Sequence, residues 1–248
     1  MRFVPVVLGL LSLCSVARAD RAEEIARIHL EAIGGQKRID ALKSLRATGH
    51  VIMGGKQLRF SMLAARPAFV RVETEQGGRT LVQAYDGTAP PWEFDTGTWP
   101  PKYREMNPSS ARTFAADADF DDPLLGGEAR GYTLEFAGEM TVDGRKLLRV
   151  LVTRRLADTF SVMVDDETFF IVMRIEHRES AGGRRLQLVT HYEDYRPVDG
   201  VLLPHTITLA VDGKGTQQTK IGRIEPNPKW EEGAFSRPKV TAPAVTAP

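Results

Sequence analysis

The sequence predicts an α+β protein, a strongly curved antiparallel sheet of about eleven strands covered by a few short helices. Three observations carry that expectation. From Ala47 onward, apolar and polar residues alternate with period two in run after run, as strands do when one face is buried. The runs are closely spaced around Gly54-Gly55, Gly77-Gly78, Asp143-Gly144, Asp199-Gly200 and Asp212-Gly213. Such turns suit antiparallel hairpins and leave no room for the crossovers that parallel strands need. Helical spacing, in contrast, is confined to the N-terminal stretch and to one insertion in the middle of the chain.

Residues 1–19, MRFVPVVLGLLSLCSVARA, read as a secretory signal. Arg2 gives a positive start, Phe3 to Leu13 an apolar stretch, and Ala17-Arg18-Ala19 a cleavage site after Ala19. The apolar stretch falls short of the roughly 20 residues that span a bilayer. Cys14 follows Leu13, not the small residue that precedes a lipidated cysteine. Cleavage would remove Arg2, Arg18 and the sole cysteine, leaving 31 basic and 32 acidic residues. That balance lacks the basic stripe of a nucleic-acid binder. An exported chain without cysteine must rest on a large hydrophobic core instead of disulfides.

After the signal, residues 20–238 read as a single domain and the Pro/Ala-rich residues 239–248 as a disordered tail. Asp20 is positioned to cap a helix, DRAEEIARIHLEAI, whose apolar stripe is Ile25, Ile28, Ala32 and Ile33. Gly34-Gly35 stops it. A second short helix, QKRIDALKSL, places Ile39, Leu42 and Leu45 on one side. Strand-like runs then occupy 47–53, 57–65, 68–75 and 79–85, the second closed by Arg66-Pro67. Between Thr88 and Gly127, PPWEF and TWPPKY read as proline-rich loops. SSARTFAADADFDDPLL reads as a helix capped by Ser109 or Ser110, with Phe114, Ala118, Leu124 and Leu125 inward. Seven further runs follow at 131–140, 145–153, 159–165, 168–178, 184–194, 201–211 and 216–225.

No catalytic or metal-binding pattern stands out in the sequence, so the chain reads as a non-enzyme that needs no cofactor. The five histidines are scattered and form no HExxH. Glu176, His177 and Glu179 alternate across a strand and read as solvent-facing polar residues. No serine occupies a GxSxG elbow, and GKGTQQTK at 213–220 suits a hairpin turn better than a phosphate loop. Asp117, Asp119, Asp121 and Asp122 form one acidic cluster, but a calcium loop would want glycine where Asp122 stands.

Apolar surface is what remains conspicuous. Trp92, Trp99, Phe114, Phe120, Leu124 and Leu125 all lie in or beside the insertion. They either plug the core or line a cavity that a curved sheet and loosely fitted helices leave open. Candidate cavity residues on the first strands are Val51, Met53, Phe60, Met62, Val70 and Val72, with Trp92, Phe114, Leu124 and Leu125 from the insertion. The later strands add Leu134, Phe136, Val162, Ile171, Met173 and Leu188. Unbranched methionines such as Met53, Met62, Met163 and Met173 would adapt to an irregular ligand.

HLEAIGG at 29–35, Arg66-Pro67, AYDG at 84–87 with Trp92, DDPLL at 121–125 and VDGVLLPHTI at 198–207 succeed one another in a distinctive order. In that order the chain resembles the outer membrane lipoprotein-sorting proteins of the LolA/LolB-like periplasmic carrier family. The resemblance implies a half-open β-barrel with the N-terminal and inserted helices as its lid. It also implies a monomeric periplasmic carrier that holds the acyl chains of a lipid or lipoprotein client without covalent chemistry. Partners would be an inner-membrane donor and an outer-membrane acceptor, in the service of outer membrane biogenesis. On the same fold, a lipid-sensing or protein-docking module is the alternative. The family's lid-latching arginine corresponds to Arg66, whose guanidinium has donors for several carbonyls at once. Ala89-Pro90-Pro91 ahead of Trp92 departs from the family's ordinary loop and stiffens it.

Overall fold

The computed structural model describes residues 8–97, 102–125, 127–154, 159–180 and 182–237. Trp99 and the tail at 239–248 lie outside them. Three helices are present among these residues: α1 (Leu8–Ala32), α2 (Gln36–Ala41) and α3 (Pro108–Ala116). A 3-10 turn at Gly127–Arg130 and thirteen strands make up the rest of the regular structure among the described residues. The first six are β1 (Ser44–Met53), β2 (Lys56–Ala65), β3 (Phe69–Gln76), β4 (Arg79–Asp86), β5 (Trp92–Asp95) and β6 (Lys102–Glu105). The others are β7 (Thr133–Val142), β8 (Arg145–Thr153), β9 (Thr159–Asp165), β10 (Ile171–Glu179), β11 (Arg185–Val198), β12 (Val201–Val211) and β13 (Lys214–Pro226). They belong to a large antiparallel sheet with hydrogen-bonded order β6-β5-β4-β3-β2-β1-β13-β12-β11-β10-β9-β8-β7, whose end strands leave the ladder open.

All eleven strand-like runs are strands, yet the expected number is two too low. The extra pair, β5 and β6, comes from segments read as proline-rich loops. Their ladder runs from Trp92 opposite Glu105 to Asp95 opposite Lys102. Each is only four residues long, too short to show an alternation of its own.

The helices also depart from expectation. Asp20 lies inside α1 and not at its N-cap. Helix α2 stops at Ala41, so Leu45 belongs to β1. Helix α3 is capped by Asn107, whose side chain accepts from Ser110 N–H, and not by Ser109 or Ser110. It ends at Ala116 and carries no buried residue; Ala118, Leu124 and Leu125 are buried beyond it.

The described residues divide into two compact units. One holds residues 8–42, 50–57 and 121–222, the other 43–49, 58–120 and 223–237. In the first, α1 packs along β7 and presents Ala22, Ile25 and Ala26 to a buried cluster of Val150, Val152, Phe160, Val162, Val164 and Ile171. Just beyond the helix stands Gly34, whose φ of +136° excludes most side chains; a Cβ there would come within 2.4 Å of the Gly200 carbonyl. Leu202 N–H donates to Ile33 O over 2.7 Å at the same place. In the second unit, residues 227–237 lie against β1–β5 as a strap. Asn227 accepts from Lys43 N–H at 2.8 Å, and Trp92 Nε1 donates to Phe235 O at 2.9 Å.

Candidate binding face and its polar border

Strand register sorts the first unit's side chains onto two faces. One row across the sheet reads Val152, Phe160, Glu176, Leu188 and Val211. The next reads Val150, Val162, Arg174, Thr190, Leu209 and Gln217. Because alternate side chains share a face, Leu134, Phe136, Tyr192 and Ile207 stand on this side too.

This face has two halves. On β8 and β9, Val150, Val152 and Val162 are fully buried beneath α1 and the 121–125 segment. On β11 and β12, Leu188, Tyr192, Ile207, Leu209 and Val211 are only half-buried. The reverse side of the same two strands mixes Gln187, His191, Glu193, Thr206 and Thr208 with Val189 and Ala210. The half-buried strip thus holds Leu188, Tyr192, Ile207, Leu209 and Val211 around Thr190, and it is incompletely covered.

A buried imidazole fastens the covered half. His29, 1 % exposed on the inner face of α1, places Nδ1 2.7 Å from Phe169 O and Nε2 2.8 Å from Asp122 Oδ2. With a carbonyl oxygen at one ring nitrogen and a carboxyl oxygen at the other, the site suits a ring that donates from both. Burial opposes a charged ring, but the charge and hydrogen bond of Asp122, with the Phe169 carbonyl, outweigh it and raise His29 above its ordinary value. Asp122 Oδ1 in turn accepts from Leu124 N–H at 2.8 Å. Nearby, Tyr195 donates to Ile171 O at 2.6 Å, and burial pushes its phenol far up.

Between the two halves, β10 carries a charged row. Arg174 Nη2 donates to Glu176 Oε2 at 2.5 Å, and Arg178 Nη2 lies 2.6 Å from Glu176 Oε1. Arg174 lies 4.2 Å and Arg154 4.8 Å from the centre of the Phe160 ring. Glu176, expected to face solvent, is 8 % exposed, whereas His177 beside it is exposed. Its burial follows from the two flanking guanidiniums, which a strand brings to the same side at i±2.

In the second unit, Phe60, Met62, Val70 and Val72 share one face, since Met62 pairs with Val72 and Ala64 with Val70. Phe60 and Val70 are buried and the other two half-buried. The opposite face, with Leu63, Ala65 and Phe69, receives Phe235 from the strap. Arg71 donates to Glu73 at 2.7 Å and to Ala234 O at 3.0 Å, while Arg46 donates to Lys229 O at 3.0 Å. Beside the strap, a cleft of about 710 Å³ is lined by Arg46, Arg71, Glu73, Leu63 and the exposed Trp230, among others. Its lining is mixed in charge and not the apolar wall sought for an acyl chain.

The remaining candidates are dispersed. Leu124, Leu134, Phe136, Val162 and Ile171 come together in the covered core, and Leu125 joins a second cluster with Ile33, Ile39 and Val201. Met173 turns to the other side of the sheet, with Leu147 and Met163. Leu188 stands on the strip. Val51 is half-buried and Met53 is 49 % exposed. Trp92 packs with Val82 and Ala84, and Phe114 is half-buried on α3. Arg66 is half-buried, its guanidinium 5.8 Å from the centre of the Phe120 ring. Of the acidic cluster, Asp122 meets His29 and Asp121 lies 3.4 Å from Arg130. Among the described residues no three His, Cys, Asp or Glu side chains converge as a metal site would need. Sequence reasoning missed His29, Arg174, Arg178 and the strap. The one available signal was Arg-x-Glu-x-Arg at 174–178, a charge alternation on a single strand face.

No family model and no curated protein matches this sequence. Solved structures do. A domain described as an outer membrane lipoprotein-sorting protein from Vibrio parahaemolyticus matches at TM-score 0.55 and 12% identity, over 88% of this chain and 97% of that one. A DUF1329 family protein from Desulfovibrio piger matches at 0.56 and 11%, over 86% and 96%. A LolA superfamily protein from Nitrosomonas europaea matches at 0.53 and 14%, over 89% and 98%. Among the described residues no helix is long and apolar enough to cross a membrane. The likeness is one of fold, along nearly the whole of each neighbour: the chain has a LolA-like fold.

Proposed function

We propose that the chain is a non-enzymatic periplasmic carrier, a half-open barrel that holds the acyl chain of a lipid or lipoprotein during transfer towards the outer membrane. One observation carries this reading: the apolar side of β11 and β12, with Leu188, Ile207, Leu209 and Val211, is half-buried next to a closed core. An acyl chain laid on it would contribute about 0.8 kcal/mol for each CH₂ removed from water, which needs no polar recognition. The signal-like residues 1–19 and the LolA-like fold support export and carriage. Arg66 serves as a latch, its cation holding the Phe120 segment that follows α3. Donor and acceptor are membrane-associated partners of the same route.

The mixed-charge cleft beside Trp230 favours a second reading, a module that docks a protein segment. Native mass spectrometry of the protein purified from a bacterial periplasm separates the two. A co-purifying acyl mass supports the carrier. A bare chain that retains a polypeptide supports the module.

A further inference from the structure

We propose that the amphiphile carried on the Leu188–Val211 strip has an acidic head, a carboxylate or phosphate, and that Arg174 receives it with Arg178 and Arg154 beside it. This rests on the carrier reading and adds the chemistry of the ligand's polar end.

Arg174 stands in a row between Val162, which is fully buried, and Thr190 and Leu209, which open onto the strip. Glu176, one step along β10, lies between Phe160 and Leu188. A chain lying on the strip therefore ends beside the charged row, and that order of surfaces matches an amphiphile with its head at β10.

The charged row also contains an unmet donor. Glu176 engages Nη2 of Arg174 and Nη2 of Arg178. Among the described residues, Nε of Arg174 is buried and has no acceptor. A guanidinium held against an aromatic ring keeps its plane fixed and loses little freedom when it binds, and Arg174 lies 4.2 Å from the Phe160 ring centre. The group is thus oriented, largely withdrawn from water at 18 % side-chain exposure, and short of one acceptor. An acid oxygen supplies that acceptor with a charge-assisted bond. A neutral head such as an ester or alcohol supplies a weaker one.

The test compares oleate, oleyl alcohol and inorganic phosphate as probes on the full chain, by displacement of a fluorescent acyl reporter. Charge-assisted hydrogen bonds should give oleate an advantage of about 10- to 100-fold over oleyl alcohol. Arg174→Gln should bring the two within about threefold, chiefly by weakening oleate. If that variant does not fold, Arg178→Gln, at a more exposed position, should lose most of the same preference. Equal binding of oleate and oleyl alcohol to the unaltered protein overturns the acidic-head proposal and leaves the carrier reading intact. A preference that survives in both variants overturns the assignment to β10. Inorganic phosphate bound as tightly as oleate would make this a free-anion site and overturn it as well. Failure of both oleyl probes to bind overturns the carrier reading and this proposal together.

Discussion

The two halves of one sheet face in the first unit have similar residues and different fates. Val150, Val152 and Val162 are sealed by α1, whose Ala22, Ile25 and Ala26 are small or branched residues that let the helix come close. Leu188, Ile207, Leu209 and Val211 are as apolar, but only half-buried. The difference lies in what is laid over each strand and not in the strands themselves. Hydrophobic alternation marks a face that wants cover; it does not say whether the chain or a ligand provides it.

The largest effect expected from perturbing this comparison is on the covered half. Leu124→Ala removes a side chain that is 1 % exposed and should cost about 2–5 kcal/mol of stability. Thermal or denaturant unfolding measures that loss, and oleate affinity of the folded variant should stay the same. An affinity loss would mean that the two halves are not independent.

His29→Gln acts on the fastening of the same half. The folded value of His29 is raised, so its stabilising contribution is complete below 6.5 and is lost as pH rises through the folded value. The substitution should cost about 1–3 kcal/mol near pH 6 and progressively less at alkaline pH. Denaturant midpoints across pH 5.5–9 check this. A variant with the same pH slope as the parent would show that the ring is not charged in the fold.

On the uncovered half the balance reverses. Leu209→Ser should leave stability within about 1 kcal/mol but weaken acyl binding by about tenfold, the contribution of roughly two buried CH₂ groups. The smallest effect belongs to the second unit. Loss of the cation over Phe120 in Arg66→Leu should speed ligand release by about two- to fivefold, as a cation–π contact of about 0.5–1 kcal/mol allows. Stopped-flow transfer to acceptor vesicles reads that rate. Unchanged release would remove the latch from the account.

Much of the fold was legible because the strands from Ala47 onward alternate cleanly and are punctuated by glycine and Asp-Gly turns. Strands β5 and β6 were not, since four residues flanked by prolines carry no period and exist through their mutual ladder. Helix α3 is shorter than its sequence suggests because its cap, Asn107, precedes Ser109, and the acidic residues after Ala116 continue a pattern that the backbone abandons. The candidate site was less legible for a geometric reason. Apolar residues of one strand look alike in sequence, whereas Met173 and Val162 face opposite sides once register is set. Glu176 looked like a surface residue because its two arginines neutralise it only when side chains two apart are seen to converge. His29 sat unnoticed in a helix stripe whose partners, Asp122 and Phe169, lie 93 and 140 residues away.

On the carrier reading the acyl chain lies on the half-buried strip and not in the sealed core. A photoactivatable fatty acid, crosslinked to the folded protein and mapped by peptide mass spectrometry, locates the chain. Adducts should fall on β11 and β12, at Leu188, Ile207, Leu209 and Val211. Labelling on Val150, Val152 or Val162, or none on the strip while the probe is bound, would contradict it.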